Sequence, residues 1–302
     1  MILIAGGSGR LGSQIVRLLT GRGLPVRILA RDVGRAGHLQ GPLVEIVSGD
    51  VRDIEAIRRA MTGVDTVISA VHGFVGTGDD SPRTVDGEGN SNLIRAAQAE
   101  GVAHFILMSI LGAAPDHPTE LFRMKYQAEQ QLRASGLAWT IIRPSAYMET
   151  WADLIGQPLV KTGKTQIFGR GDNPINFVSV YDVARYVELA VVDPAMRGVL
   201  VEVGGPENLN MRQVVQKFEM VLGKAGTISA IPRPMMRLMA VLMRPVNPRL
   251  ARQIQIAIVM DTADMAFDPT STQRTYPAIA LTSWSDVIQR DYLNVTLSAA
   301  LK

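Results

Sequence analysis

MILIAGGSGRLGSQIVRLLT occupies residues 1–20. Residues 1–5 are a short apolar run of the kind that forms a parallel strand buried on both faces. Gly6-Gly7-Ser8-Gly9-Arg10-Leu11-Gly12 follows, and residues 13–20 then place Ile15, Leu18 and Leu19 at helical spacing. The order strand, glycine turn, helix has a chemical use. Gly6 and Gly7 allow a tight turn, with positive φ where it is required. Gly9 has no side chain, so a pyrophosphate can approach the backbone, and Gly12 lets the helix lie close on the strand. The helix N-terminus adds unpaired N–H groups and partial positive charge. Gly6, Gly7, Ser8, Gly9, Arg10, Leu11 and Gly12 are therefore expected to bind the phosphates of a dinucleotide. The G-x-x-G-x-x-G spacing is a strong signal because it sits directly between a strand and a helix.

Outward from this turn the pattern alternates. Strands are expected at Val26–Ala30, Val44–Ser48, 66–70, 105–108 and 139–142, and helices at Ile54–Met61, 87–100 and 121–134. Alternation of this kind predicts βαβ units and an α/β, Rossmann-type, doubly wound parallel sheet. Such sheets bind ligands at the carboxyl ends of their strands, so the residues just past each strand are the ones to read. Past the second strand stand Arg31, Asp32 and Arg35. An acidic residue there favours the ribose hydroxyl of NAD, whereas a guanidinium matches the 2′-phosphate of NADP. Arg31 comes first and Asp32 is free to cap the following helix, so the expected cofactor is NADP, with NAD the alternative. Past the third strand, Asp50 is placed to accept from the adenine amino group and Val51 to pack on the ring. Past the fourth, the small residues Ala70 and Val71 permit close passage of the cofactor. His72 is one of four histidines; His38, His104 and His117 share no metal-ligand spacing with it, and no metal site is expected.

Composition narrows the function classes. The chain has 302 residues, 47% of them hydrophobic and 20% charged, enough to bury a sizeable core. Its 31 Lys plus Arg against 28 Asp plus Glu give a formal charge of +3, too even for a nucleic-acid partner. Cysteine is absent, which excludes disulfides, thiolate nucleophiles and Cys-ligated metals and fits a cytoplasmic location. No signal peptide and no membrane-spanning run is expected. Residues 72–82, rich in Gly and Asp, read as a loop beside the cleft.

MILIAGGSGRLGSQIVRLL, VRILARDVGRAGHL, VSGDVRD, VDGEGNSNLIRAAQAEGVAHFILMS, KYQAEQQLRASGLAWTIIRPSAYME and NFVSVYDVARYVELAV together resemble the NmrA-like group of atypical short-chain dehydrogenase/reductases. The resemblance covers roughly the first two-thirds of the chain. It implies the Rossmann fold and an NAD(P) cofactor, but members differ in activity. They include quinone reductases, isoflavone-reductase-like enzymes, accessory subunits of the respiratory NADH dehydrogenase and redox sensors. The wider superfamily uses Tyr-x-x-x-Lys, in which the Tyr handles the proton and the Lys holds the nicotinamide ribose. Here Lys125 matches the Lys, but Leu121 stands in the Tyr position. The resemblance thus implies Lys125 as a ribose ligand and possible acid, and Ser109 at the superfamily's serine position. Tyr147, in the segment implied to lie over the nicotinamide, is a further catalytic candidate.

The expected domains are a dinucleotide-binding domain over 1–205, with a cleft insertion at about 146–175, and a smaller, mostly helical substrate or lid lobe over 206–302. Helices are expected at Val180–Val192, Met211–Leu222, about 250–260 and 284–293. The Met-rich helix at 235–244 is open to three readings: lid core, a plastic apolar pocket, or an amphipathic surface touching a membrane, with Arg237 and Arg244 toward headgroups. The functional expectation is an NAD(P)H-dependent reductase of a small apolar carbonyl, enone or quinone. The alternative is a non-catalytic dinucleotide sensor or accessory subunit, for which the missing Tyr speaks. A sugar-nucleotide epimerase is weaker, since that chemistry normally needs the Tyr.

Overall fold

A computed structural model describes residues 1–74 and 76–293. The chain divides into two compact units, one of Met1–Pro144 with Val183–Val203 and the other of Ser145–Asp182 with Gly204–Lys302. The segment 145–182 interrupts the first unit in sequence and groups with the C-terminal residues.

The first unit holds β1 (Ile2–Ala5), β2 (Val26–Ala30), β3 (Val44–Ser48), β4 (Thr66–Ser69), β5 (His104–Met108) and β6 (Trp139–Pro144). A seventh strand, Val199–Val203, was not anticipated from the sequence. All seven are parallel, in the order Val199–Val203, β6, β5, β4, β1, β2, β3. The chain runs outward from β1 to β3, then crosses to β4 on the other side of β1. The switch point therefore lies between β1 and β4, where open α/β sheets form their binding crevice. The helices between strands are α1 (Arg10–Gly21), α2 (Val33–Ala36), α3 (Ile54–Met61), α4 (Asn90–Ala99) and α5 (Glu120–Arg133).

Burial on both faces explains the continuous apolar strands. Leu3, Ala5, Val67, Phe105, Leu107 and Ile141 pack in one core with Ile57 of α3, Leu93 of α4 and Leu132 of α5. On α1, Ile15, Val16 and Leu19 are buried, and just past its end Arg22 pairs with Glu188 of the helix Val180–Val192. At the sheet edge β3 is only half buried, and Glu45 there is exposed and paired with Arg27 of β2. A charge on an edge strand discourages pairing with another chain.

Three helices differ from the sequence reading, two at the start and one at the end. The first helix begins at Arg10, because Gly9 takes the extended N-cap conformation. The fourth is preceded by a wide, π-type turn over Arg83–Gly89. The last consists of Trp284–Ile288 continued by a similar turn, Gln289–Leu293. Wide turns leave no local signature, since the apolar spacing through them still resembles that of an α-helix.

The second unit is not purely helical. Lys164–Phe168 and Thr227–Ile231 pair in parallel, and Asn208–Leu209, Ile175–Val178 and Ala146–Tyr147 form a small sheet. Its core centres on Trp284, with Phe177 and Phe218 set edge-on to it. Helix Met211–Leu222 starts from a capping box in which Asn210 and Gln213 satisfy each other's backbone N–H. Helices Arg233–Met243 and Pro248–Met260 share a core of Met236, Ala240, Ile254 and Ala257. Half of the Met-rich helix is thus core; its other half returns below.

Candidate functional site

At the switch point, each glycine of the turn does a different job. Gly6 has φ +87°, and a Cβ there would stand 2.7 Å from the Ala70 carbonyl oxygen at the end of β4. Gly7 needs no positive φ, but a Cβ on it would strike Ile28 at 2.8 Å. A Cβ on Gly12 would lie 2.2 Å from the Gly6 carbonyl, so only glycine lets α1 press onto the turn. Gly9 differs from these: the sole atom near its Cβ position is the Gly6 carbonyl oxygen at 3.3 Å. The space over Gly9 is open, and Gly9 and Arg10 are exposed while Ser8 is half-buried. No acidic side chain occupies the first turn of α1 and no side chain caps it. Leu11 is buried and can offer only its backbone N–H. These features fit a dinucleotide pyrophosphate, with backbone N–H groups as donors.

The next corner is built from charged side chains. Arg31, just past β2, pairs with Asp80 from the loop after β4. Asp32 caps α2, accepting from the Gly34 and Arg35 N–H groups at 2.9 and 3.3 Å. Arg35 is exposed on α2. Both carboxylate oxygens of Asp50 are taken by Arg52, with Nε at 2.9 Å and Nη2 at 2.6 Å. Arg52 also donates to the Asp79 carbonyl at 2.6 Å. Burial pushes the Asp50 pKa up, but the Arg52 hydrogen bonds and charge, with Arg31 behind them, bring it below the ordinary carboxylate value. Sequence reasoning missed Arg52 and Asp80. The first follows Val51 directly; the second sat in a stretch read only as a loop. That stretch contains a turn at Gly78–Asp80 and is tied by Arg31 and Arg52, while its residue 75 lies outside the described residues.

Several candidates turn out to be engaged elsewhere. Val51 is buried in the sheet core, close enough that a Cβ on Gly89 would touch it at 2.6 Å, so its side chain is packing rather than open to a ring. Lys125 is buried, and its ammonium has three partners: the Val71 carbonyl at 2.9 Å, the Met108 carbonyl at 2.8 Å and Asp86 at 2.9 Å. The Asp86 contact is an ion pair rather than a hydrogen bond, since Asp86 Oδ1 is buried without a hydrogen-bond donor. Asp86 also accepts from the Gly73 N–H at 2.7 Å. The pair ties together the chain leaving β4, the end of β5, and α5. Ala70 and Val71 are half-buried there. Ser109 donates to the fully buried Glu129, which holds Arg143 through both carboxylate oxygens. Leu121, in the superfamily's Tyr position, is buried and has no proton to give.

His72 has solvent on one side. The protein around it lowers its pKa, with Asp86 opposing this and Lys125 adding to it. In the second unit, Tyr147 lies on the strand paired with Ile175–Val178, and burial together with Glu149 raises its hydroxyl pKa. Glu149 is buried and accepts from Ser179 Oγ at 2.6 Å and the Val180 N–H at 3.0 Å, fixing the start of the helix Val180–Val192. Burial raises its pKa against these bonds. No cluster of possible metal ligands occurs among the described residues.

Comparison with known proteins agrees with this geometry. The sequence model of the NAD(P)H-binding family matches residues 6–194. The NAD(P)H azoreductase of Xenophilus azovorans is 31% identical over 232 residues, 76% of this chain and 77% of the relative. Photosystem II assembly factor Ycf39 of Synechocystis sp. is 32% identical over 240 residues, 79% and 72% of the two chains. Among solved structures, an Escherichia coli NADPH-dependent quinone oxidoreductase complexed with NADPH shares the fold. Its TM-score is 0.77 at 20% identity, covering 96% of this chain and 99% of that one. The chain belongs to the NAD(P)H-binding family, within the NmrA-like atypical short-chain dehydrogenase/reductases.

Proposed function

We propose that the protein is a cytoplasmic NADPH-dependent reductase acting on a small apolar carbonyl, enone or quinone. The observation that carries this reading is the open cradle over Gly9, bounded by three glycines whose replacement would fill it or displace α1. The N–H groups of residues 10–12 would hold the pyrophosphate, the Gly9 N–H being spent on the Gly6 carbonyl at 3.1 Å. Arg31, with Arg35 and Arg52 nearby, would hold the 2′-phosphate. Asp80 now occupies Arg31, so the phosphate must take Arg31 from a carboxylate of this chain. Ala70 and Val71 would border the nicotinamide half, and Lys125 with Asp86 would hold that border in place as a positioning pair.

When bound, the cofactor supplies a hydride to an electrophilic carbon. Leu121 has no proton to give and Lys125 is held in an ion pair with Asp86, so the accompanying proton comes from water in this reading. Similarity to an azoreductase supports reduction of an apolar, conjugated acceptor.

A second reading, a dinucleotide-binding assembly factor without turnover, is favoured by the buried Leu121 in the Tyr position and by the similarity to Ycf39. NADPH consumption measured against a panel of quinones, enones and azo dyes separates the two. Turnover of at least one acceptor supports the reductase. Tight NADPH binding with no consumption across the panel supports the second reading instead.

A further inference from the structure

The helix Arg233–Met243 and the turn after it leave an apolar face uncovered. Met235, Leu238, Val241, Leu242 and Val246 are 53%, 59%, 70%, 55% and 76% exposed. Met235, Leu238 and Leu242 stand at i, i+3 and i+7, so they share one stripe, with Val241 at its margin. The opposite side, through Met236 and Ala240, is packed against Ile254 and Ala257 of the next helix. The stripe is therefore not a core awaiting its partner within this helix pair, which already has its own core. Isolated surface leucines are ordinary; five large apolar groups together on eleven residues and a turn are not.

The charge around the stripe is one-sided. No Asp or Glu occurs between Glu219 and Asp261, whereas Lys224, Arg233, Arg237, Arg244, Arg249 and Arg252 all fall there. Arg233 is tied to Asp261, but Arg237, Arg244 and Arg249 are exposed. Arg237 and Arg244, seven residues apart, border the same edge of the stripe. An apolar stripe with arginines along one edge, on a segment without an acidic residue, is complementary to a surface that is negative outside and hydrocarbon inside. Methionine side chains adapt readily to such a disordered partner.

We propose that this face docks onto an anionic lipid bilayer, with Leu238, Leu242 and Val246 entering the headgroup–acyl boundary and Arg237, Arg244 and Arg249 at the lipid phosphates. No helix among the described residues is long and apolar enough to cross a membrane, so the association is peripheral. The proposal stands on the second unit alone and does not depend on which cofactor or substrate the protein uses.

Flotation of the full chain with phosphatidylcholine vesicles, with and without phosphatidylglycerol, tests it. Binding is expected to the phosphatidylglycerol vesicles and to weaken with salt, because the charges act over a screened range. Reversing both Arg237→Glu and Arg244→Glu is expected to weaken binding by at least about 20-fold, at about fivefold per arginine removed. Leu238→Ser with Leu242→Ser is expected to weaken it by at least about tenfold. Circular dichroism and thermal unfolding should stay unchanged in both variants, which shows that they fold. Failure of the native chain to float with phosphatidylglycerol vesicles overturns the proposal. So does equal flotation of native and variant chains. A dimer in sedimentation that Leu242→Glu separates, without vesicle binding, also overturns it and assigns the face to a second copy of this chain.

Discussion

The glycine turn after β1 and the charged corner after β2 are neighbours in the first unit, yet they are built by opposite means. The turn works through what is missing. Gly6, Gly7 and Gly12 remove side chains so that strand, turn and helix can close up, and Gly9 leaves a space that nothing fills. The corner works through what is present: Arg31, Asp50, Arg52 and Asp80, brought from three loops and paired with one another. A site made of backbone is ready before its ligand arrives. A site made of paired side chains must exchange an internal partner for the ligand. In the proposed function, the first kind would set whether a dinucleotide binds, and the second which one.

Substitutions that separate these roles differ in size. The largest effect is expected beside both regions, at Lys125. Lys125→Met leaves Asp86 buried without its cation, and breaking such a pair typically costs about 3–5 kcal/mol. Denaturant unfolding should show a loss of that order; a change below about 1 kcal/mol would mean that the pair does not hold the strand ends. Gly9→Val comes next. Its Cβ meets only one carbonyl, so the fold should survive, but the side chain fills the cradle. NADPH affinity is expected to fall by at least about a hundredfold, as excluding a ligand from a close backbone approach requires. A folded variant that binds normally would move the phosphate site elsewhere.

A third test uses acid to probe the sheet beneath both regions. His104 on β5 is buried, with Nε2 at 2.9 Å from Thr140 Oγ1. The Thr140 hydroxyl gives its proton to the Met196 carbonyl at 2.6 Å, so Nε2 must be the donor to Thr140. Burial, with Arg197 adding to it, lowers the His104 pKa to about 4. The unfolded chain takes up this proton near pH 6.5 and the folded chain only near pH 4. Stability from this group is therefore fully present above about pH 6.5 and is lost as the pH falls toward 4, by about 3 kcal/mol in all. His104→Gln should flatten the stability profile over that window; an unaltered profile would assign the acid sensitivity to other groups.

The smallest of these effects concerns the internal partner. Asp80→Asn frees Arg31 from a carboxylate that competes with a 2′-phosphate. NADPH is expected to bind about tenfold more tightly, the worth of one charge-assisted hydrogen bond, while NADH stays within about twofold. A parallel gain for both cofactors would show that Asp80 governs the loop rather than the choice.

The same contrast explains what the sequence made legible. The glycine turn could be read in full because its determinants are contiguous and each acts on its own backbone. Six of the seven sheet strands were legible because burial on both faces leaves unbroken apolar runs. Val199–Val203 and the parallel pair Lys164–Phe168 with Thr227–Ile231 were not, because alternating or polar positions such as Glu202, Lys164 and Thr227 become strand only through their partners. Arg31 was visible, but Asp80 lies 49 residues along the chain and no local pattern announces the pairing. Lys125 and Ser109 were found at superfamily positions, yet their engagement by Asp86 and Glu129 depends on side chains 39 and 20 residues away.

In the proposed function, the first unit selects NADPH through Arg31. Equilibrium titrations of NADPH and NADH on the native chain and on Arg31→Ala test it most directly. A charge-assisted hydrogen-bonded contact to the 2′-phosphate implies that the native chain binds NADPH about ten- to a hundredfold more tightly than NADH. Arg31→Ala should bring the two affinities together by weakening NADPH and leaving NADH nearly unchanged. Equal affinities in the native chain, or a preference for NADPH that survives the substitution, would contradict the claim.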